Sequence, residues 1–338
     1  MMAQPNFDDI LAAARRLEGK VKRTPLLESS LLNKWLGHRI LFKAECLQTI
    51  GAFKLRGALN VLAKCAENDC LPTRVVANSS GNHAQAVAYA ATLFKIPATI
   101  FAADTISPIK AAATRSYGAQ LKLFENRVLA DAAVQQAASE PGTLWIPPFN
   151  DNDVIAGQGT ATYEALQDAG QVDAVFGPCG GGGLLSGALI ATRAMQPEAV
   201  VIGAEPEQAN DASRSLQSGI IEHLPRPAKT LADGAATPSV GELTFTWLQQ
   251  LDDFYEVNEV QIAYWTQWLQ HLLKVHVEPT SALSMAAVTA WAVENPTPKT
   301  ALVMLSGGNI SASGMQQIWQ QDYLLQPPNL TEQDDANA

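Results

Sequence analysis

The chain has no run of about 18 uninterrupted apolar residues, so no helical membrane span is expected. It also lacks a basic cluster. A net charge of −10, from 23 Lys and Arg against 33 Asp and Glu, argues against nucleic acid as the main partner. The stretch Met1 to Asp9 has no basic segment followed by an apolar one, so no secretory leader is expected. Cysteine is scarce. Cys46, Cys65, Cys70 and Cys179 are scattered without the paired spacing of a zinc site. Reduced thiols in a cytoplasmic protein are the expectation.

What is present suffices for a substantial core. The 338 residues are 47% hydrophobic and 17% charged, enough for one large or two medium domains. Short β-rich segments at Arg74–Ala77, Ala98–Ala102, Gln120–Phe124 and Thr143–Ile146 alternate with Ala-rich stretches at helical spacing, His83–Phe94, Ile109–Tyr117 and Val128–Ala138. The alternation resumes at Ala174–Gly177, Val200–Glu205 and Ala301–Leu305. This pattern predicts an α/β protein with mostly parallel sheets covered by helices on both faces. Residues 74–147 read as a small inserted domain, and 1–70 with 148–324 as one larger domain. The polar, acidic stretch 325–338 is expected to fray.

Three segments carry chemistry. Lys54 lies among Ala52, Phe53, Leu55 and Ala58, an apolar setting that lowers an amine pKa and favours an imine. Asn78-Ser79-Ser80-Gly81-Asn82-His83 follows a strand and opens a helix, where exposed amides attract anions. Ordinary N-capping by Ser or Asn is the alternative reading. Gly180-Gly181-Gly182-Gly183 also joins a strand to an apolar helix, Leu184–Met195. Four consecutive glycines cost conformational entropy and suit a backbone that must approach a phosphate. They match a dinucleotide fingerprint poorly, although Glu205 lies at about the right distance for its acidic residue. Leu305-Ser306-Gly307-Gly308-Asn309 adds a third polar glycine turn at a strand end, where open α/β sheets place ligands. One lysine and two backbone cradles are the parts needed to hold pyridoxal 5′-phosphate, with the amine forming a Schiff base to its aldehyde.

These motifs occur in the order seen in a known family. From Arg23-Thr24-Pro25-Leu26 to Asn309, through Lys54, Ser79–His83, Val154–Thr160, Gly180–Gly183, Glu278-Pro279-Thr280 and Ser306–Asn309, the chain resembles the serine/threonine dehydratase and serine racemase group. These are fold-type II pyridoxal-phosphate enzymes, similar to the tryptophan synthase β subunit, with two open, mostly parallel sheets flanked by helices. The resemblance implies that the larger domain binds the cofactor, with Lys54 as its Schiff-base lysine. Phe53 would pack on the ring, Asn82 would bond the 3′-oxygen, and Gly180, Gly181, Gly182 and Gly183 would hold the phosphate. Ser306 would face the ring nitrogen. Ser79, Asn82 and His83 would hold the substrate carboxylate, and Ser80 would be the acid/base on the face opposite Lys54. Ala52 departs from the serine often found there.

The implied activity is β-elimination from a hydroxy amino acid such as L-serine, L-threonine or threo-3-hydroxyaspartate, giving a 2-oxo acid and ammonia. The racemisation of serine or aspartate is the alternative, and a non-catalytic small-anion-binding protein is a remote one. Ala232-Asp233-Gly234-Ala235 and Gly241–Phe245 are similar to the threo-3-hydroxyaspartate dehydratase branch. In that branch, Glu205, Asp211 and the Ala209 carbonyl would bind Mg²⁺, Ca²⁺ or Mn²⁺, hard cations that favour oxygen ligands. A homodimer is also expected.

Overall fold

The computed structural model describes residues 4–329. Among the described residues there are ten strands: β1 (Leu26–Glu28), β2 (Arg39–Ala44), β3 (Arg74–Asn78), β4 (Ala98–Ala103), β5 (Gln120–Phe124), β6 (Thr143–Trp145), β7 (Ala174–Pro178), β8 (Val200–Pro206), β9 (Asp253–Val257) and β10 (Thr300–Leu305). They form a six-stranded sheet in the order β1-β2-β10-β7-β8-β9 and a four-stranded sheet in the order β5-β4-β3-β6. Only β1 runs antiparallel to its neighbour, with Leu26 opposite Lys43. The other named pairs are parallel. The α/β, two-sheet expectation therefore holds.

Burial explains the strand composition. Ala301–Leu305 of β10 is buried without a break, as expected for a central parallel strand with helices on both faces. β5 at the sheet edge is mostly exposed and carries Lys122, a charge that discourages pairing with another chain. One face of the small sheet has its own cluster, Val76 and Phe101 with Ala130 and Val134, and the other shares a core with the rest of the chain. Leu55, Ala58 and Leu62, from the helix Lys54–Glu67, pack in one cluster with Val75, Ala77, Ala84 and Ile100. The lysine-bearing helix thus packs into the small-sheet core.

Three helices meet through backbone. A Cβ added at Gly157 would come within 2.6 Å of the Gly57 Cα, and one at Gly187 within 2.7 Å of the Gly159 Cα. These glycines join the helices Lys54–Glu67 and Gly183–Met195 to the helix between them, Asn152–Ala169.

Part of the stretch expected to fray is described. Leu325 is exposed, while the Gln326 carbonyl accepts from Tyr264 Oη at 2.9 Å and Trp268 Nε1 at 3.2 Å. Residues 330–338 lie outside the described residues. Among the described residues no helix is long and apolar enough to cross a membrane.

Candidate active site

The C-terminal ends of β3, β7 and β10 lead into the three polar turns singled out above. All three turns line one cavity of about 640 Å³, together with Phe53 and Lys54. Lys54 is the first residue of its helix. Its Nζ donates to the Pro148 carbonyl at 2.7 Å and lies 5.1 Å from the Phe53 ring centroid. Burial pushes its pKa down to about 8, while the Glu278 charge pulls it upward. A substantial neutral fraction follows at mildly alkaline pH, as a nucleophilic or basic amine requires.

The turn after β3 is not an ordinary serine cap. The N-cap of the helix Asn82–Leu93 is Gly81, with no side-chain cap. Ser79 Oγ instead accepts from the Gly81 amide at 3.1 Å. The first amides of this helix have no helical acceptor and sit at the cavity wall. Ser80 lines the same wall. His83 is buried, and its Nε2 lies 2.8 Å from the Ile146 carbonyl. Burial first, then the Lys54 charge, push its pKa down to about 3, so the ring is neutral. Its Nε2–H then donates to Ile146.

The tetraglycine turn is tightly enclosed. Gly182 has φ +90°, and a Cβ at Gly181 would fall 2.1 Å from the Phe149 ring. Any side chain at 181 would collide with Phe149, and one at 182 would be strained. Gly183 begins the helix Gly183–Met195, whose free amides and dipole suit a bound anion. Across the cavity, Ser306 is buried, with Oγ 3.1 Å from Ser281 Oγ.

The sequence comparisons match this arrangement. Residues 17–307 match the family described as pyridoxal-phosphate dependent enzymes. The chain belongs to that family. An L-threo-3-hydroxyaspartate ammonia-lyase from Saccharomyces cerevisiae is 42% identical over 91% of this chain and 94% of its own length. An L-threonine ammonia-lyase from Geobacter sulfurreducens is 41% identical over 89% of this chain and 75% of its own. The structure of maize serine racemase superposes with a TM-score of 0.87 at 32% identity, over 93% of this chain and 97% of that one.

The residues of this pyridoxal-phosphate dependent enzyme suit its cofactor. The cavity offers one amine with a lowered pKa and a buried glycine cradle that any Cβ would fill. Two residues here carried no role in the sequence reading. Phe149 walls the glycine cradle. Glu278, read only as part of a motif, is buried and accepts from Asn82 Nδ2 at 3.1 and 3.0 Å. Burial first, then Asp233, raise its pKa to about 7. Only its place beside Pro279 at a helix start could have drawn attention.

The proposed metal residues gather elsewhere, behind the glycine turn. Glu205, at the end of β8, accepts from the Ser213 amide at 2.6 Å and the Ala212 amide at 3.2 Å. Asp211 is 1% exposed, and neither carboxylate oxygen has a donor in good hydrogen-bond geometry among the described residues, although the Asp211 and Val240 amides and Arg214 lie near enough to oppose the upward shift of its pKa. Burial pushes Asp211 up to about 7 and Glu205 up to about 9. Cys179, one residue before the glycines, is pushed upward by burial and by both carboxylates, so the cluster lies close to the cradle. Ala209 is buried in the turn between them. Among the described residues no group of three or more His, Cys, Asp and Glu side chains forms a metal site.

Proposed function

We propose that the protein is a hydroxy amino acid ammonia-lyase, removing the β-hydroxyl and the amine of L-serine, L-threonine or threo-3-hydroxyaspartate. The observation that carries this reading is the convergence of Lys54, the Ser79–His83 turn, the glycine cradle and Ser306 on one cavity. Pyridoxal 5′-phosphate, when bound, supplies an electron sink for the charge left at the α-carbon. In this reading the Gly180–Gly183 backbone holds its phosphate, and Phe53 and Asn82 hold its ring. Ser306, held by Ser281, faces the ring nitrogen with a hydroxyl, which does not force that nitrogen to stay protonated. Ser79, Asn82 and His83 hold the substrate carboxylate, the last two through their backbone amides at the helix start. The Lys54 amine takes the α-proton on its face. The β-carbon–oxygen bond breaks, the hydroxyl leaves as water, and hydrolysis of the carbon–nitrogen bond frees ammonia.

The test is direct. The purified protein should show a visible band bleached by borohydride and release 2-oxo acid from at least one member of a panel of L-serine, L-threonine, D-serine and both threo-3-hydroxyaspartates. A colourless protein that binds small anions without turnover would return the reading to a non-catalytic binder.

Racemisation is the second reading, and the place of Ser80 in the cavity wall supports it. Lys54 reaches one face of a planar α-carbon, and an L/D exchange needs a proton donor on the other. Ser80→Ala should remove enantiomer exchange while elimination from substrates facing Lys54 survives, because a general acid or base contributes about 10²–10⁴-fold to its own step. Oxo-acid release and serine chirality, measured on the same samples, separate the two activities. Equal exchange in both proteins rules Ser80 out as that group.

The proposal extends to a divalent cation, Mg²⁺ or alternatively Ca²⁺ or Mn²⁺, held by Glu205, Asp211 and the Ala209 carbonyl with water completing the shell. Its support is the buried Asp211 carboxylate, which lacks a donor in good hydrogen-bond geometry and is costly without a close counter-charge. Chelator should lower the melting temperature and Mg²⁺ restore it, because an ion bound only to the native state adds about 2.7 kcal/mol at a hundredfold excess over Kd. Glu205→Ala should melt alike with and without the ion. Superimposable wild-type curves in chelator and in saturating Mg²⁺ would remove the site. We also propose a cytoplasmic homodimer; its free thiols suit a reducing compartment. The two sheets would be its two domains, 74–147 inserted into 1–70 and 148–324.

A further inference from the structure

An asparagine carboxamide can turn either end toward a ligand, and the two ends do opposite things. The nitrogen donates two hydrogens, whereas the oxygen only accepts. The 3′-oxygen of the cofactor, when ionised, needs a donor. Something must therefore hold the Asn82 carboxamide the right way round.

Both ends of that carboxamide are engaged. Asn82 Oδ1 accepts from Asn309 Nδ2 at 2.8 Å, and Asn309 Nδ2 also donates to the Ile50 carbonyl at 2.8 Å. Asn82 Nδ2 faces both oxygens of Glu278, at 3.1 and 3.0 Å. A carboxylate only accepts, so it selects the nitrogen end. One amide hydrogen goes to Glu278, and the second is left for the cavity that Asn82 and Lys54 line. Glu278 itself is confined. It is 2% exposed, and a Cβ at Gly307 would fall 2.6 Å from its Oε1.

We infer that Glu278 is a positioning residue: it fixes the rotation of the Asn82 carboxamide so that an N–H, not the carbonyl, is presented to the cofactor's 3′-oxygen. This rests on the proposed function, in which Asn82 holds the cofactor. The carboxylate also explains why an acidic group is kept inside a cavity that otherwise receives anions. Its role is to act on the asparagine rather than on the substrate.

The experiment measures cofactor, not turnover. Apoprotein is titrated with pyridoxal 5′-phosphate at mildly alkaline pH, and both the dissociation constant and the position of the visible band are read. Glu278→Gln, whose amide can pair with either end of Asn82, should weaken binding by about tenfold and move the band, because a hydrogen bond to a charged group is at stake. In an Asn82→Ala background the same substitution should change binding less than about twofold, since contacting residues that act together are not additive. Asn309→Asp is the second variant, should Glu278→Gln fail to fold. It puts an acceptor opposite Asn82 Oδ1, where a donor stood, which drives the carboxamide toward the reverse orientation, and binding should again weaken only when Asn82 is present.

Unchanged binding and an unchanged band in the variants would overturn the inference. So would equal weakening with and without Asn82, which would make Glu278 act on its own. If the wild-type protein forms no visible band that borohydride bleaches, the proposed function fails first. If it forms one and the variants match it, only the role of Glu278 is lost.

Discussion

Lys54→Ala should fold, lose the visible cofactor band and lose at least about 10⁴-fold of its turnover, the upper range for a single proton-transfer group. The side chain makes one hydrogen bond, to the Pro148 carbonyl, so removing it costs the fold little while removing the amine from the cavity entirely. A pH experiment on the wild type probes the same group. Only a neutral amine adds to an aldehyde, and burial lowers the Lys54 pKa to about 8. Uptake of pyridoxal 5′-phosphate by the apoprotein should therefore quicken as pH rises and level off above that value. Roughly a tenth of the amine is already neutral one pH unit below it. A Lys54→Ala protein that keeps the band and more than about a hundredth of its turnover would take Lys54 out of this role.

The second large effect concerns stability. Two residues beyond Lys54, the fully buried Arg56 donates to both oxygens of Glu45 and both oxygens of Glu164, each at 2.8 Å. Lys43, also buried, donates to Glu164 and to the Thr24 carbonyl, each at 2.8 Å. The four charges sum to zero. Arg56→Ala leaves two carboxylates facing one lysine and should cost about 3–5 kcal/mol, because the loss of one partner strands a buried charge. Replacing Arg56 and Glu45 together by apolar residues of similar size should recover much of it. Urea unfolding of the three proteins decides the matter. A loss under about 1 kcal/mol for Arg56→Ala would mean that solvent screens the cluster.

Sequence alone revealed the local parts and hid the long-range ones. The segments around β3, β4, β5, β6, β7, β8 and β10 announce themselves by short β-rich stretches between Ala-rich helices. β1, β2 and β9 were not singled out. β1 has three residues, and its pairing with β2 is set by tertiary register rather than local pattern. The turns at Ser79–His83 and Gly180–Gly183 were readable because glycine and serine at a strand-to-helix junction have few other uses. Glu278 and Arg56 were not. Their partners lie 196 and 108 residues away, and neither residue type is unusual on a surface. What separates them from a solvated charge is burial, which composition does not report.

The glycine contacts between helices have a mechanical consequence. Lys54 starts one helix, the glycine cradle starts another, and both helices rest backbone-to-backbone on the helix Asn152–Ala169 through Gly57, Gly157, Gly159 and Gly187. Side chains hop between rotamers, but main chains in contact have no such slack. The span between amine and phosphate cradle is thus held by a gauge block rather than by a spring. One added methyl group at Gly157 would lengthen that span from a position that touches neither end.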